Sequence, residues 1–267
     1  MMRHNALAPT QIDDFWDQGY LIIGKLLDDE LVASLQEEYD RLFAHAREDG
    51  RYRNLAIDDT GDVAEKQKVQ NQMLQITQMC ERSILYRKLI YDDRILDIVE
   101  NLIGPNIQLF HDQALYKPAG DGGPVFWHQD NGYWRCTPPN LVSCWLTLDD
   151  VNRENGAMHV IPGSHHRLVE HKKSKSTNAL FDVSKEVSED RSVVIDLPAG
   201  GVMFHHCQTL HFTPPNRTHR QRRAFAIHFM PPGTLGQMTD PEDPEGKRRI
   251  FGHRNVSFSH PMLRARI

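Results

Sequence analysis

Apolar residues recur at helical spacing in the first hundred residues of the chain. Over residues 28–47 the positions on one side of a helix are apolar or aromatic, namely Leu31, Leu35, Tyr39, Leu42, Phe43 and Ala46. A second helical pattern covers residues 80–103 and ends at Gly104-Pro105, and a glycine followed by a proline is a typical helix stop. The sequence therefore predicts a mostly helical flank over residues 1–104.

Beyond Gly104 the pattern changes to short apolar runs between Gly, Pro, Asn and Asp residues, which is typical of an all-β sandwich or barrel. Seven runs are candidate strands: 106–117, 124–128, 141–148, 157–162, 192–197, 201–206 and 223–229. The charged stretch 165–190 and the stretch 231–247, rich in proline, glycine and acidic residues, are expected to be surface loops. Whether they act as lids stays open. We predict a single domain over residues 1–267, with a β core at 105–230 and a C-terminal extension at 231–267.

The composition is that of a globular protein with a sizeable core, since 39% of the 267 residues are hydrophobic and 25% are charged. A formal net charge of −5 argues against a general nucleic-acid or anionic-membrane binder. The N-terminus lacks the apolar segment of a secretory signal, and the four cysteines form no CxxC pair. These features predict a cytoplasmic protein without a membrane span; they leave its oligomeric state open.

The stretch FWHQD, residues 126–130, places two good metal ligands where an apolar run ends. In an extended chain residues i and i+2 point to the same side, so His128 and Asp130 are expected to converge while Gln129 turns away. His-x-Asp alone is a weak motif, because most such pairs are solvated surface residues. A metal site needs a third ligand from elsewhere in the chain.

Five histidines in the C-terminal β region could provide it: His205, His206, His211, His219 and His228. His211 ends a short apolar run just before a proline-rich turn, which places it at the mouth of the sheet. His205 and His206 are neighbours that face opposite sides of a strand, so we expect them to pack or cap. His219 lies in the turn, and His228 is predicted to be a hydrogen-bonded core residue.

Two imidazoles and one carboxylate with open coordination positions are the ligand set of non-haem Fe(II) oxygenases, although zinc would accept similar ligands. The strand 222–229 carries Arg222, Ala224 and Ala226 on one face. An arginine above two alanines has room to hold a carboxylate through two parallel hydrogen bonds. The alternative is a solvated arginine within the local cluster, which comprises Arg217, Arg220, Arg222 and Arg223.

Four stretches, in register along most of the chain, resemble the phytanoyl-CoA dioxygenase family of Fe(II)- and 2-oxoglutarate-dependent oxygenases: DQGYLIIGKLLDDELVASL, HQDNGYW, LTLDDVNRENGAMHVIPGSHH and FHHCQTLHFTPPNRTHRQRRAFAIHF. The resemblance implies a mainly β fold with flanking α-helices, a double-stranded β-helix or jelly-roll (cupin-like) barrel. It implies that His128, Asp130 and His211 bind iron. It also implies that Arg222 binds the distal carboxylate of 2-oxoglutarate.

The resemblance extends to further cosubstrate positions. Trp145 corresponds to a family tryptophan near the cosubstrate, and Gln75 falls near another contact position ahead of the second helix. The chain departs from the family pattern at two places. Gln113 stands where many members have methionine, and Phe212-Thr213 replaces a frequent Gly-Ser, although Thr213 still offers a hydroxyl group.

By this resemblance the protein uses Fe(II), O₂ and 2-oxoglutarate to hydroxylate a small-molecule substrate and releases succinate and CO₂, with ascorbate expected to help. Related halogenases lack the carboxylate at the position of Asp130, so hydroxylation is expected here. One alternative is the same chemistry on an acyl-CoA thioester, whose phosphates the HKKSK segment at 171–175 could contact. Others are a zinc or manganese jelly-roll enzyme, which has no need of Arg222, and a binding protein without turnover.

Overall fold

The structure, a computed structural model, describes residues 6–55, 72–171, 183, 187–237, 248–250 and 260–266. The predicted loops 165–190 and 231–247 fall largely outside these residues, as do residues 172–175 of the HKKSK segment. Among the described helices, none is both long enough and apolar enough to cross a membrane.

The described residues include five helices before residue 104 and a sixth after His128: α1 (Pro9–Gln18), α2 (Asp29–Asp49), α3 (Met79–Arg82), α4 (Ile84–Leu89), α5 (Asp93–Ile103) and α6 (Asp130–Trp134). The helix predicted over 28–47 is confirmed as α2. It begins after Asp28, whose side chain accepts a hydrogen bond from the Leu31 backbone N–H.

The helical stretch predicted over 80–103 is present, but it consists of three short helices rather than one continuous helix. Ser83 has an extended backbone, and its hydroxyl accepts hydrogen bonds from the backbone N–H groups of Leu85 and Tyr86. Asp92 accepts in the same way from the N–H of Arg94. Each side chain therefore caps a new helix and interrupts the previous one.

Fourteen described strands follow the chain in this order: β1 (Tyr20–Lys25), β2 (Arg53–Asn54), β3 (Leu74–Thr77), β4 (Ile107–Lys117), β5 (Val125–His128), β6 (Val142–Thr147), β7 (Met158–Val160), β8 (Val193–Ile195), β9 (Gly201–His206), β10 (His211–Thr213), β11 (Arg222–Met230), β12 (Leu235–Gln237), β13 (Arg248–Ile250) and β14 (Met262–Arg264). All seven predicted strands are among them. Short 3₁₀ turns lie at Ser164–His166 and Glu189–Arg191.

Two antiparallel sheets build the predicted jelly roll. The larger has the order β1-β9-β6-β11-β4-β3-β2, with β14 also paired to β4; the smaller has the order β5-β10-β7-β8. The predicted helical flank also contributes strands to the larger sheet, because β1 pairs with β9 and β3 pairs with β4. The sequence pattern did not predict these early strands. They tie residues 20–25 and 74–77 to the sheet that carries Arg222.

The larger sheet has apolar side chains on both faces. Its outer face packs against the helices in the main core, where the rings of Tyr86 and Phe225 lie edge to face with centroids 4.8 Å apart. Its inner face joins residues of the smaller sheet in a second cluster that includes Trp145, Met158 and Ala224. This second cluster fills only part of the space between the sheets, and the remainder is a cavity.

Candidate active site

A cavity of about 510 Å³ lies between the two sheets, and both contribute to its walls. The smaller sheet contributes His128 and His211, and the larger contributes Trp145, Arg222 and His228. All five side chains are fully or almost fully buried in the protein. The predicted site residues of the two sheets therefore face one shared cavity.

His128, Asp130 and His211 converge as the sequence predicts. In the antiparallel pairing of β5 with β10, His211 lies opposite His128, and their ring centroids are 4.1 Å apart. The Asp130 Oδ1 atom is 3.6 Å from Nε2 of His128 and 3.7 Å from Nε2 of His211. One ligand atom from each residue lies within 4.8 Å of the other two. Such a cluster has the size and the donor set of a His₂-carboxylate metal site.

Backbone carbonyl groups orient both imidazoles. Nδ1 of His128 donates a hydrogen bond to the carbonyl of Phe126 (2.7 Å), and Nδ1 of His211 donates to the carbonyl of Thr209 (2.9 Å). Since each proton lies on Nδ1, each Nε2 lone pair faces the point where the ligands meet. Burial, together with the neighbouring His128, keeps the pKa of His211 well below its usual range. The ring is therefore neutral, as a metal ligand must be.

Asp130 turns one carboxylate oxygen toward the imidazoles and the other into the protein. Its Oδ2 atom accepts a hydrogen bond from Nε2 of His205 (3.2 Å) and a longer one from the hydroxyl of Ser143 (3.4 Å). Burial opposes ionisation, but the polar side chains around the carboxylate, including the hydrogen bond from His205, hold the pKa of Asp130 well below its usual range. The carboxylate is therefore ionised, with Oδ1 directed at the candidate metal position.

Gln129, between the two candidate ligands, turns away as predicted and bonds to segments that are remote along the chain. Its amide Nε2 donates to the carbonyls of Gln208 (2.6 Å) and Arg167 (2.8 Å), and its Oε1 accepts from the N–H of Val169 (2.8 Å). The Gln129 backbone N–H donates to Nε2 of His171 (3.0 Å). The first residues of the predicted loop 165–190 are thus fixed to the turn between His128 and Asp130.

The cavity also contains a buried arginine whose guanidinium group is only partly hydrogen bonded. Arg222 is fully buried, and its Nη1 donates to the carbonyl of Leu115 (2.9 Å). Its Nε and Nη2 atoms, like Nε1 of Trp145 and Oγ1 of Thr213, have no hydrogen-bond partner among the described residues. Burial lowers the pKa of Arg222 to about 10, so the guanidinium stays charged at neutral pH. Buried donors without partners are unusual in folded proteins, and an anion with several acceptor oxygens would complete these.

A second buried cation, Lys117, lies beside Arg222 in the pairing of β4 with β11. Its Nζ donates to the carbonyls of Thr213 (3.1 Å) and Pro214 (2.5 Å). Burial, followed by repulsion from Arg222, lowers the pKa of Lys117 well below its usual range. Lys117 thus fixes the segment that carries Thr213, and sequence reasoning did not identify it.

A protein-family model described as phytanoyl-CoA dioxygenase (PhyH) matches residues 15–224. The chain belongs to the phytanoyl-CoA dioxygenase family. Members of this family are 2-oxoglutarate-dependent oxygenases, and the chain is accordingly a non-haem dioxygenase that uses Fe(II) and 2-oxoglutarate. The donor set described above fits both, since it offers a His₂-carboxylate cluster and a buried guanidinium with free donors.

Individual relatives in the family have different names. A probable alpha-ketoglutarate-dependent hypophosphite dioxygenase from Stutzerimonas stutzeri is 24% identical over 226 residues, which cover 81% of this chain and 76% of that protein. The human peroxisomal phytanoyl-CoA dioxygenase is 26% identical over 237 residues, covering 85% and 69%. The crystal structure of the epimerase SnoN in complex with Fe³⁺, alpha ketoglutarate and nogalamycin RO superposes with a TM-score of 0.72 at 22% identity, covering 96% and 98%, which shows a shared fold.

Two residues expected to contact the cosubstrate by family resemblance bond to each other. Gln75 donates from Nε2 to Oε1 of Gln113, and Gln113 donates from Nε2 to Nε2 of His228 (3.0 Å). Both glutamines line the cavity, and their contact with 2-oxoglutarate stays a prediction. His228 is a buried, hydrogen-bonded residue as predicted, and it also lines the cavity.

The expectation that His205 only packs or caps is wrong, because it donates to Asp130. Ser143 likewise contacts Asp130 and was not singled out as a site residue. Both lie on inward faces of the larger sheet, opposite each other in the pairing of β6 with β9. Strand alternation shows which residues share a face but not which face points inward, so the sequence pattern alone could not identify them.

Proposed function

We propose that His128, Asp130 and His211 hold Fe(II), that Arg222 holds the distal carboxylate of 2-oxoglutarate, and that the enzyme hydroxylates a small molecule. The observation that carries this proposal is the buried Arg222 guanidinium, with two unbonded donor atoms, in the same cavity as a His₂-carboxylate cluster. Three protein ligands leave coordination positions open, as oxygenase chemistry needs.

When bound, Fe(II) and 2-oxoglutarate supply the oxidising chemistry, which consumes O₂ and releases succinate and CO₂. The protein's part is to bind and orient. Thr213 offers a hydroxyl group and Trp145 an indole N–H in the same cavity as Arg222, and both groups lack a hydrogen-bond partner among the described residues. Trp145, Thr213 and Arg222 are all buried, which strengthens the polar contacts that they make.

A zinc or manganese enzyme that does not use 2-oxoglutarate would leave the buried Arg222 without a role. A buried cation with unbonded donors is unfavourable unless a ligand completes it, and this supports the 2-oxoglutarate enzyme over its rival. A binding protein without turnover would likewise not need Asp130 held ionised beside His128 and His211.

We propose a free small molecule rather than an acyl-CoA as the substrate. The cavity of about 510 Å³ must hold the cosubstrate and the reacting part of the substrate together. Away from Arg222 its wall carries Thr77, His111, Tyr133 and Trp134. Hydrogen-bonding groups beside aromatic rings suit a compact, partly polar compound better than an aliphatic chain.

An anaerobic titration tests the cosubstrate assignment. The Fe(II)-loaded protein should develop a charge-transfer absorption band as 2-oxoglutarate is added, and succinate should appear when O₂ is admitted. Arg222→Ala should still bind Fe(II) but need at least about thirtyfold more 2-oxoglutarate, because truncating one partner of a buried charged pair costs about 2–5 kcal/mol. His128→Ala should lose Fe(II) itself.

Arg223→Ala is the matched control for Arg222→Ala, because Arg223 is the next residue and points to the other face of β11, where it pairs with Asp149. It should titrate like the wild type. If Arg222→Ala reached saturation at wild-type 2-oxoglutarate concentrations, the cosubstrate assignment would be wrong. Turnover with zinc in the absence of 2-oxoglutarate would favour the rival enzyme class.

We also propose that residues 1–267 form one domain and that the protein is cytoplasmic. The pairing of β1 and β3 with strands of the β core supports the single domain. All four cysteines are free and buried, in keeping with a reducing compartment. Urea denaturation followed by circular dichroism and by tryptophan fluorescence should give coincident transitions for a single domain.

A further inference from the structure

Hydrogen bonds connect Gln75 to Asp130 across the inner face of the larger sheet. Nε2 of Gln75 bonds to Oε1 of Gln113, and Nε2 of Gln113 bonds to Nε2 of His228 (3.0 Å). Nδ1 of His228 lies 2.7 Å from the hydroxyl oxygen of Ser143, which in turn lies 3.4 Å from Oδ2 of Asp130. Every side chain in this series is buried or lines the cavity.

The chemistry of the last acceptor sets the direction of the whole series. The Ser143 hydroxyl donates its single proton to the carboxylate oxygen Oδ2 of Asp130. Ser143 can then only accept from His228, which requires the His228 proton on Nδ1. Nε2 of His228 is left to accept from the Gln113 amide, as observed. Burial lowers the pKa of His228 to about 3, so the ring is neutral and carries a single proton.

Strand register and packing hold His228 and Ser143 in place. The two residues lie opposite each other in the pairing of β11 with β6. The His228 ring lies parallel to that of His111, with centroids 5.7 Å apart, and edge to face with Trp134 at 4.8 Å. Its imidazole therefore cannot rotate freely, and its Nδ1–H stays directed at Ser143.

We propose that His228 and Ser143 are positioning residues for the metal site. They hold Oδ2 of Asp130 away from the metal position, so that Oδ1 faces the imidazoles, and they thereby set the metal affinity. This inference rests on the proposed role of Asp130 as a ligand. A carboxylate fixed by neighbouring donors loses less rotational freedom when it binds a metal, and removing such neighbours typically lowers affinity by about 10–100-fold.

Co(II) titration of the metal-free protein, followed by visible absorption, tests the proposal without a substrate or turnover. Ser143→Ala and His228→Leu should each weaken Co(II) binding by about tenfold or more. His228→Asn should stay within about threefold of the wild type, because the asparagine amide can donate from nearly the position of Nδ1. Such a rescue distinguishes hydrogen bonding from packing.

Cys144→Ala is the matched control, because Cys144 adjoins Ser143 on β6, is equally buried and packs into the main core on the other face. It should bind Co(II) like the wild type even if its melting temperature falls. Wild-type affinity in both Ser143→Ala and His228→Leu would overturn the proposal. So would a loss in Cys144→Ala as large as that in Ser143→Ala, or the same loss in His228→Asn as in His228→Leu.

The wild type and His128→Ala separate this proposal from the proposed function. If the wild-type protein bound no Co(II), or if His128→Ala bound it equally well, the metal site itself would be wrong, and the positioning role would fall with it. If the wild type bound Co(II) through His128 and the Ser143 and His228 variants did not differ from it, only the positioning role would be lost.

Discussion

The two faces of strand β11 differ in how completely their arginine side chains are hydrogen bonded. On the outer face, Arg223 makes two hydrogen bonds to the carboxylate of Asp149 (2.6 and 3.1 Å), and Phe225 is fully buried against the helices. On the inner face, Arg222 is equally buried but leaves two donor atoms unbonded among the described residues. Adjacent residues of the same type thus have opposite surroundings.

This difference suggests that side chains on the outer face of β11 stabilise the fold, whereas donors on its inner face are available to bind a ligand. Contacts on the outer face are complete once the chain has folded, so their free energy contributes to stability. Unbonded donors on the inner face are unfavourable in the ligand-free protein, and they can donate hydrogen bonds to a ligand when one binds. Substitutions on the two faces should therefore change stability and 2-oxoglutarate binding independently.

The largest effect on stability is expected on the outer face. Phe225→Ala should lower the free energy of unfolding by about 3–5 kcal/mol, because it removes a buried ring and leaves a cavity between the sheet and the helices. Urea denaturation measures the loss. Phe225→Leu, a milder change, should lower it by less than about 1.5 kcal/mol. A loss below about 1 kcal/mol in Phe225→Ala would show that the outer face is not the main stabilising one.

Ligand binding should restore stability through the inner face. With metal bound, 2-oxoglutarate at about a hundred times its dissociation constant should raise the free energy of unfolding by about 2.7 kcal/mol. For a protein of this size that is a rise of roughly 5–10 °C in melting temperature. Arg222→Ala should lose most of the rise at the same ligand concentration, whereas Arg223→Ala should keep it. Equal shifts in both variants would contradict the division between the faces.

Arg222→Met should reveal the penalty of the unbonded cation in the ligand-free protein. Replacing a buried charged group by an apolar side chain of similar volume is often neutral or stabilising, and here a gain of about 1 kcal/mol in the free energy of unfolding is expected. The same variant should fail to respond to 2-oxoglutarate. A clear loss of stability, measured by urea denaturation without metal or cosubstrate, would mean that Arg222 stabilises the folded chain.

Local patterns predicted most of the β core. Alternation and turn residues identified seven strands, and the same alternation placed Arg222 and Ala226 on the face that lines the cavity. The helical flank was less predictable. Ser83 and Asp92 are compatible with a helix interior as well as with a cap, so the sequence could not reveal the breaks. Strand β3 is four residues long and is defined by its pairing with the remote β4.

The candidate metal ligands converge for a reason that differs from the predicted one. We expected His128 and Asp130 to share a strand face, but β5 ends at His128, and Asp130 is the first residue of α6. The turn into that helix, rather than strand alternation, brings the carboxylate back to the imidazoles. The contacts of Asp130 with Ser143 and His205 depend on the register of β6 and β9, which no local pattern encodes.

The smallest effect is expected at Arg223, on the outer face. Arg223→Ala should lower the free energy of unfolding by about 1 kcal/mol, because its pair with Asp149 is partly screened by solvent. Added salt should reduce the difference, since screening weakens such a pair in the wild type. Arg220→Ala, at an exposed arginine two residues before β11, serves as the control and should stay within about 0.5 kcal/mol of the wild type. If Arg223→Ala weakened 2-oxoglutarate binding instead, the two faces would be coupled, and stability and binding could not be assigned to separate sides of β11.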